Sequence, residues 1–158
     1  KVLADAVRLI KGDRYRSRLI SKIMFGAYNK RIKNVRTVND WLTRDEAVVD
    51  EYNAGKLTTF LFTVNGYRGL MNMILYVRKP RNIERIPKNL PMLMISGLDD
   101  PVGEYGKGVY RAYNSYHGHI DDIDLRLYED CRHELCNELN KEEIYEEIYG
   151  WIMNHMSK

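Results

Sequence analysis

Leu90-Pro91-Met92-Leu93-Met94-Ile95-Ser96 is a continuous apolar run that stops at Gly97, and its reading decides the fold. A short run of this kind, bounded by turn residues, suits a strand buried on both faces, as in a parallel sheet. Asp99-Asp100-Pro101-Val102-Gly103 follows as a turn. From Glu104 to Tyr116 a helical period places Val109, Ala112, Tyr113 and Tyr116 on one inner face. Asp124-Leu125-Arg126-Leu127-Tyr128 then alternates as a second strand. Strand, crossover helix and strand make a βαβ unit, so the two strands are predicted to run parallel. A helix from about Lys141 to His155 closes the chain and is predicted to bury Ile144, Tyr145, Ile148, Trp151 and Ile152.

Upstream of this unit the sequence reads as helices. Thr43-Arg44-Asp45-Glu46 has the form of a capping box, with Thr43 as N-cap and Glu46 reaching back. The helix it opens runs toward Tyr52 and stops near Asn53-Ala54-Gly55. Beyond Thr59, the residues Phe60, Val64, Tyr67, Met71 and Ile74 lay one apolar stripe down a helix that Pro80 ends. Residues 2 to 10 and 16 to 28 carry weaker helical patterns. Two parallel strands cannot cover their own faces and leave open hydrogen-bonding edges, so further strands must pair with the 90–96 run. The sequence holds no third convincing strand.

Composition narrows the class. The chain has 158 residues, enough for one domain. Its 44% hydrophobic and 30% charged content exclude disorder and collagen-like repeats. A net charge of +3 with scattered cations and no aromatic interleaving around Lys30-Arg31-Ile32-Lys33 or Arg78-Lys79-Pro80-Arg81 argues against nucleic acid as a partner. No apolar stretch approaches the length of a transmembrane segment. Cys131 and Cys136 form neither a disulfide framework nor a zinc motif and suit a cytoplasmic protein. Lys1-Val2-Leu3-Ala4 does not resemble a signal peptide, and the absence of an initial methionine suggests a piece of a longer chain.

Open α/β sheets hold their chemistry just beyond the C-terminal strand ends. Two titratable residues fall there. Asp100 follows the first strand in Ser96-Gly97-Leu98-Asp99-Asp100-Pro101-Val102-Gly103, with Asp99 as the alternative acid. His133 follows the second in Glu129-Asp130-Cys131-Arg132-His133-Glu134-Leu135. Taken singly, Asp100 also fits an Asx-type turn before proline, and His133 fits a surface histidine at a helix start. Acid before base, both late in the chain, matches the Ser…Asp…His order of one hydrolase class.

Here the sequence resembles the α/β-hydrolase superfamily, in its serine aminopeptidase S33, monoacylglycerol lipase and lysophospholipase-like branch. Residues 96 to 103 resemble the segment bearing that family's triad aspartate, and Cys131-Arg132-His133-Glu134-Leu135-Cys136-Asn137-Glu138 its terminal histidine loop. Phe25-Gly26-Ala27-Tyr28-Asn29 and Phe62-Thr63-Val64-Asn65-Gly66-Tyr67 resemble its substrate-covering cap. The resemblance implies an α/β fold comprising the C-terminal part of an α/β-hydrolase: a helical cap over residues 1–85, then a core segment over 86–158 with a βαβ unit and a C-terminal helix. It implies catalytic roles for Asp100 and His133, and substrate contacts for Phe25, Tyr28, Phe62 and Tyr67. It further implies a small lipid ester as substrate and neither metal nor organic cofactor.

No serine of the chain sits in a Gly-x-Ser-x-Gly elbow: Ser17, Ser21, Ser96, Ser115 and Ser157 all lack the flanking glycines. In the family the serine, the oxyanion hole and the first six strands come from the N-terminal half. The chain alone is therefore expected to be inert, its partner being that N-terminal half, from the same gene or a separate chain, or a second copy in a dimer. The alternative reading is a non-catalytic binding or assembly module. A second rival keeps the fold and changes the bond, to a peptide or a carbon–halogen bond. His133-Glu134-Leu135-Cys136-Asn137 has Asn where a zinc protease has its second histidine, and Gly103-Glu104-Tyr105-Gly106-Lys107-Gly108 lacks Walker spacing.

Overall fold

A computed structural model describes residues 1–156. The central element is a two-stranded parallel sheet: β1 (Met92–Gly97) pairs with β2 (Ile123–Tyr128), Met92 opposite Ile123 and Gly97 opposite Tyr128. Strand β1 begins at Met92, whose N–H bonds the Asp122 carbonyl, because Pro91 before it has no N–H to donate. Helix α6 (Lys107–His117) crosses between the strands, and α7 (Lys141–Met156) follows β2. The two helices cover opposite faces, as the strand period of two requires. On the α7 side, Asp124 accepts from Trp151 Nε1 at 2.7 Å, and the Tyr128 hydroxyl donates to Glu147 at 2.9 Å. Burial and that carboxylate push the Tyr128 phenol up to about 12. Cys131, Leu135 and Ile144 form the core between this face and α7, joined by Ile95, Tyr128 and Ile148. On the other face, Leu127 approaches Gly106 at the start of α6.

The helical part precedes the sheet. Helices α1 (Val2–Lys11), α2 (Arg18–Phe25) and α4 (Val64–Val77) enclose a second core of Ala4, Ile20, Val64 and Tyr67. Ser17 caps α2 through the Ile20 N–H, and Thr63 caps α4 through the Gly66 N–H. Helix α3 (Glu46–Ala54) and the short α5 (Pro80–Ile83) complete the set. Among the described residues no helix is long and apolar enough to cross a membrane.

Four local expectations need correction. Thr43 does not cap α3: Asp45 does, accepting from the Ala47 and Val48 N–H groups, while the Thr43 hydroxyl donates to the Asn137 carbonyl. Phe60 lies outside α4, because Thr63 caps that helix three residues later. Helix α6 starts at Lys107 rather than Glu104, since Glu104, Tyr105 and Gly106 all take positive φ (52°, 57° and 81°) and turn the chain before it. Finally, several residues assigned to buried faces are exposed or half-buried: Met92 to Ile95 are half-buried, and Ala112, Tyr145 and Ile152 are exposed. The sheet edge explains the first group. Among the described residues, neither strand has a neighbour on its outer edge.

The loop after β2 packs tightly against Gly97 at the end of β1. A β-carbon there would lie 2.0 Å from the Cys131 carbonyl oxygen and 2.3 Å from that of Arg132. The backbone, unlike a side-chain tip, cannot give way. Gly97→Ala is expected to destabilise the fold by at least the ~3 kcal/mol upper end of overpacking costs. Gly69→Ala, where an added carbon meets open space inside α4, should stabilise it by about 0.5–1 kcal/mol. Denaturant melts of the two variants check the pair.

Candidate active site

The contact at Gly97 sets the site. Beyond β1 the Leu98 N–H donates to the Tyr128 carbonyl and the Asp99 N–H to that of Cys131, each at 2.9 Å. The turn after β1 is thereby fastened to the loop after β2. On that turn Asp99 points outward and is exposed, whereas Asp100 is only 5% exposed. Asp100 uses its two oxygens separately: Oδ1 accepts the Val102 N–H at 2.8 Å, and Oδ2 lies 3.1 Å from His133 Nδ1. The Asx turn and the pairing with histidine are thus two uses of one carboxylate, the first aiming the second.

His133 stands in the loop between β2 and α7, at the short 3-10 turn Leu135–Asn137. Asp130, at φ 56°, bends the chain as it leaves β2. The hydrogen bond to Asp100 raises the His133 imidazole above its ordinary value; burial opposes this, and the charges of Asp100 and Glu134 add to the rise. Its side chain is 37% exposed against 7% for that of Asp100, so the ring bridges a buried carboxylate and an open surface. An open depression of about 340 Å³ lies beside it, lined by Ile95, His133, Glu134, Leu135, Cys136 and Asn137.

The other residues singled out in the sequence join this pair through a row of rings. Phe62 packs 5.5 Å from Tyr67, Tyr67 6.5 Å from Phe25, and Phe25 5.7 Å from Tyr28 between ring centroids. Tyr28 lies 4.9 Å from Trp41, and Trp41 5.2 Å from His133. Exposure varies along the row: Phe62 at its far end is 38% exposed, whereas its neighbour Tyr67 is 1% exposed within the helical core. Burial raises the Tyr28 phenol, and the nearby Asp100 charge raises it further. A cation–π contact, with the Arg31 guanidinium 3.7 Å over the Tyr105 ring, ties the same helical stretch to the turn bearing Asp100.

Sequence reading missed Trp41 and the polar residues around it. The chain from Asp40 to Arg44 lies along the histidine loop, with the His133 and Glu134 N–H groups donating to the carbonyls of Trp41 and Leu42. Glu138, 0% exposed, binds Arg44 from this strap, and Arg132 donates to the Asp40 and Thr43 carbonyls. No local spacing announces contacts across some ninety residues. A tryptophan in a segment without helical or strand period was the one available hint.

The raised imidazole carries a sign. Its folded pKa exceeds the unfolded one, so the pair stabilises the fold fully below the ordinary imidazole pKa, and that contribution is lost as pH rises through the raised value. Asp100→Asn should lower the His133 pKa, and Asp99→Asn should leave it in place, in an NMR titration of the imidazole carbons.

Comparison with known proteins gives the family and the fold. Residues 6–140 match the model of the family described as serine aminopeptidase, S33. Among solved structures, a highly thermostable carboxyl esterase from Bacillus coagulans in complex with glycerol superposes with a TM-score of 0.83 at 22% identity, over 99% of this chain and 50% of that one. A lipase in its open form gives 0.80 at 22% identity, over 94% of this chain and 48% of its own. The chain thus spans about half the length of these two structures. No match was found among curated proteins. A family match over most of its length makes this chain a member of the serine aminopeptidase S33 family, with the fold of the C-terminal half of an α/β-hydrolase.

Proposed function

We propose that this chain supplies the acid, the base and the substrate cover of a serine ester hydrolase whose nucleophile and oxyanion hole lie in the N-terminal half of the same fold. The observation that carries the reading is the 3.1 Å contact between His133 Nδ1 and the buried Asp100 carboxylate at adjacent parallel strand ends. With Nδ1 bonded to Asp100, Nε2 is the nitrogen left for a serine hydroxyl. It takes the hydroxyl proton as the oxygen attacks the ester carbonyl, then returns that proton to the departing alcohol, leaving an acyl-serine. Water, deprotonated at the same nitrogen, releases the acid. Asp100 holds the Nδ1–H tautomer and stabilises the positive ring.

Two further observations support the assignment. The outer edges of β1 and β2 lack partners among the described residues, and apolar side chains such as Ile74, Leu75 and Val77 on α4 and Tyr149 and Met156 on α7 are exposed. Edges and patches of this kind call for a covering partner. That partner is the missing half, whether on the same polypeptide or another, with self-association as the substitute. Residues 1–85 are the cap and 86–158 the core segment in this division. The rings of Phe62, Phe25, Tyr28 and Trp41, backed by the buried Tyr67, form the apolar wall along which an acyl chain approaches His133, which favours a monoacylglycerol or lysophospholipid over a polar ester. The two free thiols, Cys131 and Cys136, support a cytoplasmic location.

The second reading, a binding or assembly module descended from the fold, draws on the absence of a Gly-x-Ser-x-Gly elbow in the sequence. Fluorophosphonate labelling separates the two. The complete protein should label at one glycine-flanked serine upstream of Lys1, and a panel of acyl esters, peptides and haloalkanes should show ester cleavage preferred. Asp100→Asn is expected to lower kcat by about 10⁴-fold. The kcat/KM of the intact enzyme should rise with pH through the elevated His133 pKa. Absence of an upstream glycine-flanked serine, or no labelling of the complete protein, would establish the module reading instead; labelling with turnover of peptides but of no ester would keep the enzyme and change the bond.

A further inference from the structure

Glu138 has no exposed side-chain surface, and donors surround its carboxylate. Oε1 accepts the Arg132 backbone N–H at 2.8 Å, and Oε2 accepts Arg44 Nε at 2.8 Å. The Arg44 backbone N–H lies 3.3 Å from both oxygens, and that of Leu139 3.3 Å from Oε2. Arg44 also donates to Asn140 Oδ1 at 2.6 Å. Burial alone would lower the Arg44 guanidinium; the bond and charge of Glu138 outweigh it, and the net shift is upward. A carboxylate taken fully out of water persists only where its lone pairs are met in this way.

The same residues sew two segments together. The Arg132 guanidinium reaches back to the carbonyls of Asp40 at 2.6 Å and Thr43 at 2.9 Å, and the Thr43 hydroxyl donates to the Asn137 carbonyl at 2.8 Å. Three consecutive N–H groups of the histidine loop are thereby engaged, one by a side chain of the loop itself and two by the strap. That of Arg132 meets Glu138, that of His133 meets the Trp41 carbonyl at 3.5 Å, and that of Glu134 meets the Leu42 carbonyl at 2.7 Å. A loop whose backbone is fixed by its neighbours holds its side chain only as firmly as they are held.

We propose that Glu138 is a positioning residue: it clamps the Asp40–Arg44 strap to the histidine loop and so fixes the His133 imidazole between the Trp41 ring and Asp100. The consequence for turnover rests on the hydrolase reading above; the placement of His133 does not. Because the carboxylates acting on the His133 charge are Asp100 and Glu134, a change at Glu138 reaches the imidazole through geometry rather than through its own charge.

The test uses the complete protein carrying Glu138→Gln and, separately, Thr43→Val, which removes a strap contact without uncovering a buried charge. In each variant the His133 pKa is read by NMR and kcat and KM by ester turnover. The expected result is a His133 pKa displaced downward toward the ordinary imidazole value, with kcat reduced on the order of tenfold or more and KM within about twofold. An unchanged His133 pKa in the folded Thr43→Val variant overturns the inference, whether or not Glu138→Gln folds. A displaced pKa in a protein that hydrolyses no ester upholds the clamp and refutes the enzymatic reading instead.

Discussion

Where β1 ends, the backbone of the histidine loop lies against Gly97 with no space for a side chain, and the placement of Asp100 and His133 depends on that contact. Parallel strands carry their C-terminal ends to the same side, so residues just beyond each of them are neighbours by topology. Topology alone leaves several ångströms undecided. The approach at Gly97, with the hydrogen bonds from Leu98 and Asp99 to the Tyr128 and Cys131 carbonyls, removes that freedom. Asp100 then completes a turn with one oxygen and meets the imidazole with the other.

The stabilising forces divide along the chain. The helical part is held by an apolar core of Ala4, Ile20, Val64 and Tyr67, and the sheet by Cys131, Leu135 and Ile144 under α7. Between them the junction is polar. Arg44, Arg132, Glu138 and Thr43 join a strap from the helical part to the loop that bears His133. Apolar contact would hold these segments as well but would not fix their relative position so narrowly, since hydrogen bonds are directional and dispersion is not. An arrangement that must hold an imidazole to within a fraction of an ångström gains from the directional kind.

Much of the fold was readable because its signals are local. The apolar run closed by Gly97, the alternation at 124–128 and the stripe through Val64 and Tyr67 each declare their element within a few residues. Asp100 and His133 were readable because strand ends are where such residues cluster. The errors came where two local rules competed or where the partner was distant. Thr43 has the right spacing for a cap, yet Asp45 caps α3 while the Thr43 hydroxyl bonds a carbonyl ninety-four residues away. Tyr105 holds a positive φ that nothing in its chemistry announces, so the start of α6 was placed too early. No local spacing marks Glu138, and only the folded chain surrounds it with donors.

The hydrogen bond between His133 Nδ1 and Asp100 is the claim on which the account stands. It is tested most directly by the nitrogen-15 chemical shifts of the neutral His133 ring, which report which nitrogen carries the proton. Pairing with Asp100 requires the proton on Nδ1, leaving Nε2 as the bare acceptor. A ring protonated on Nε2 instead would contradict the account.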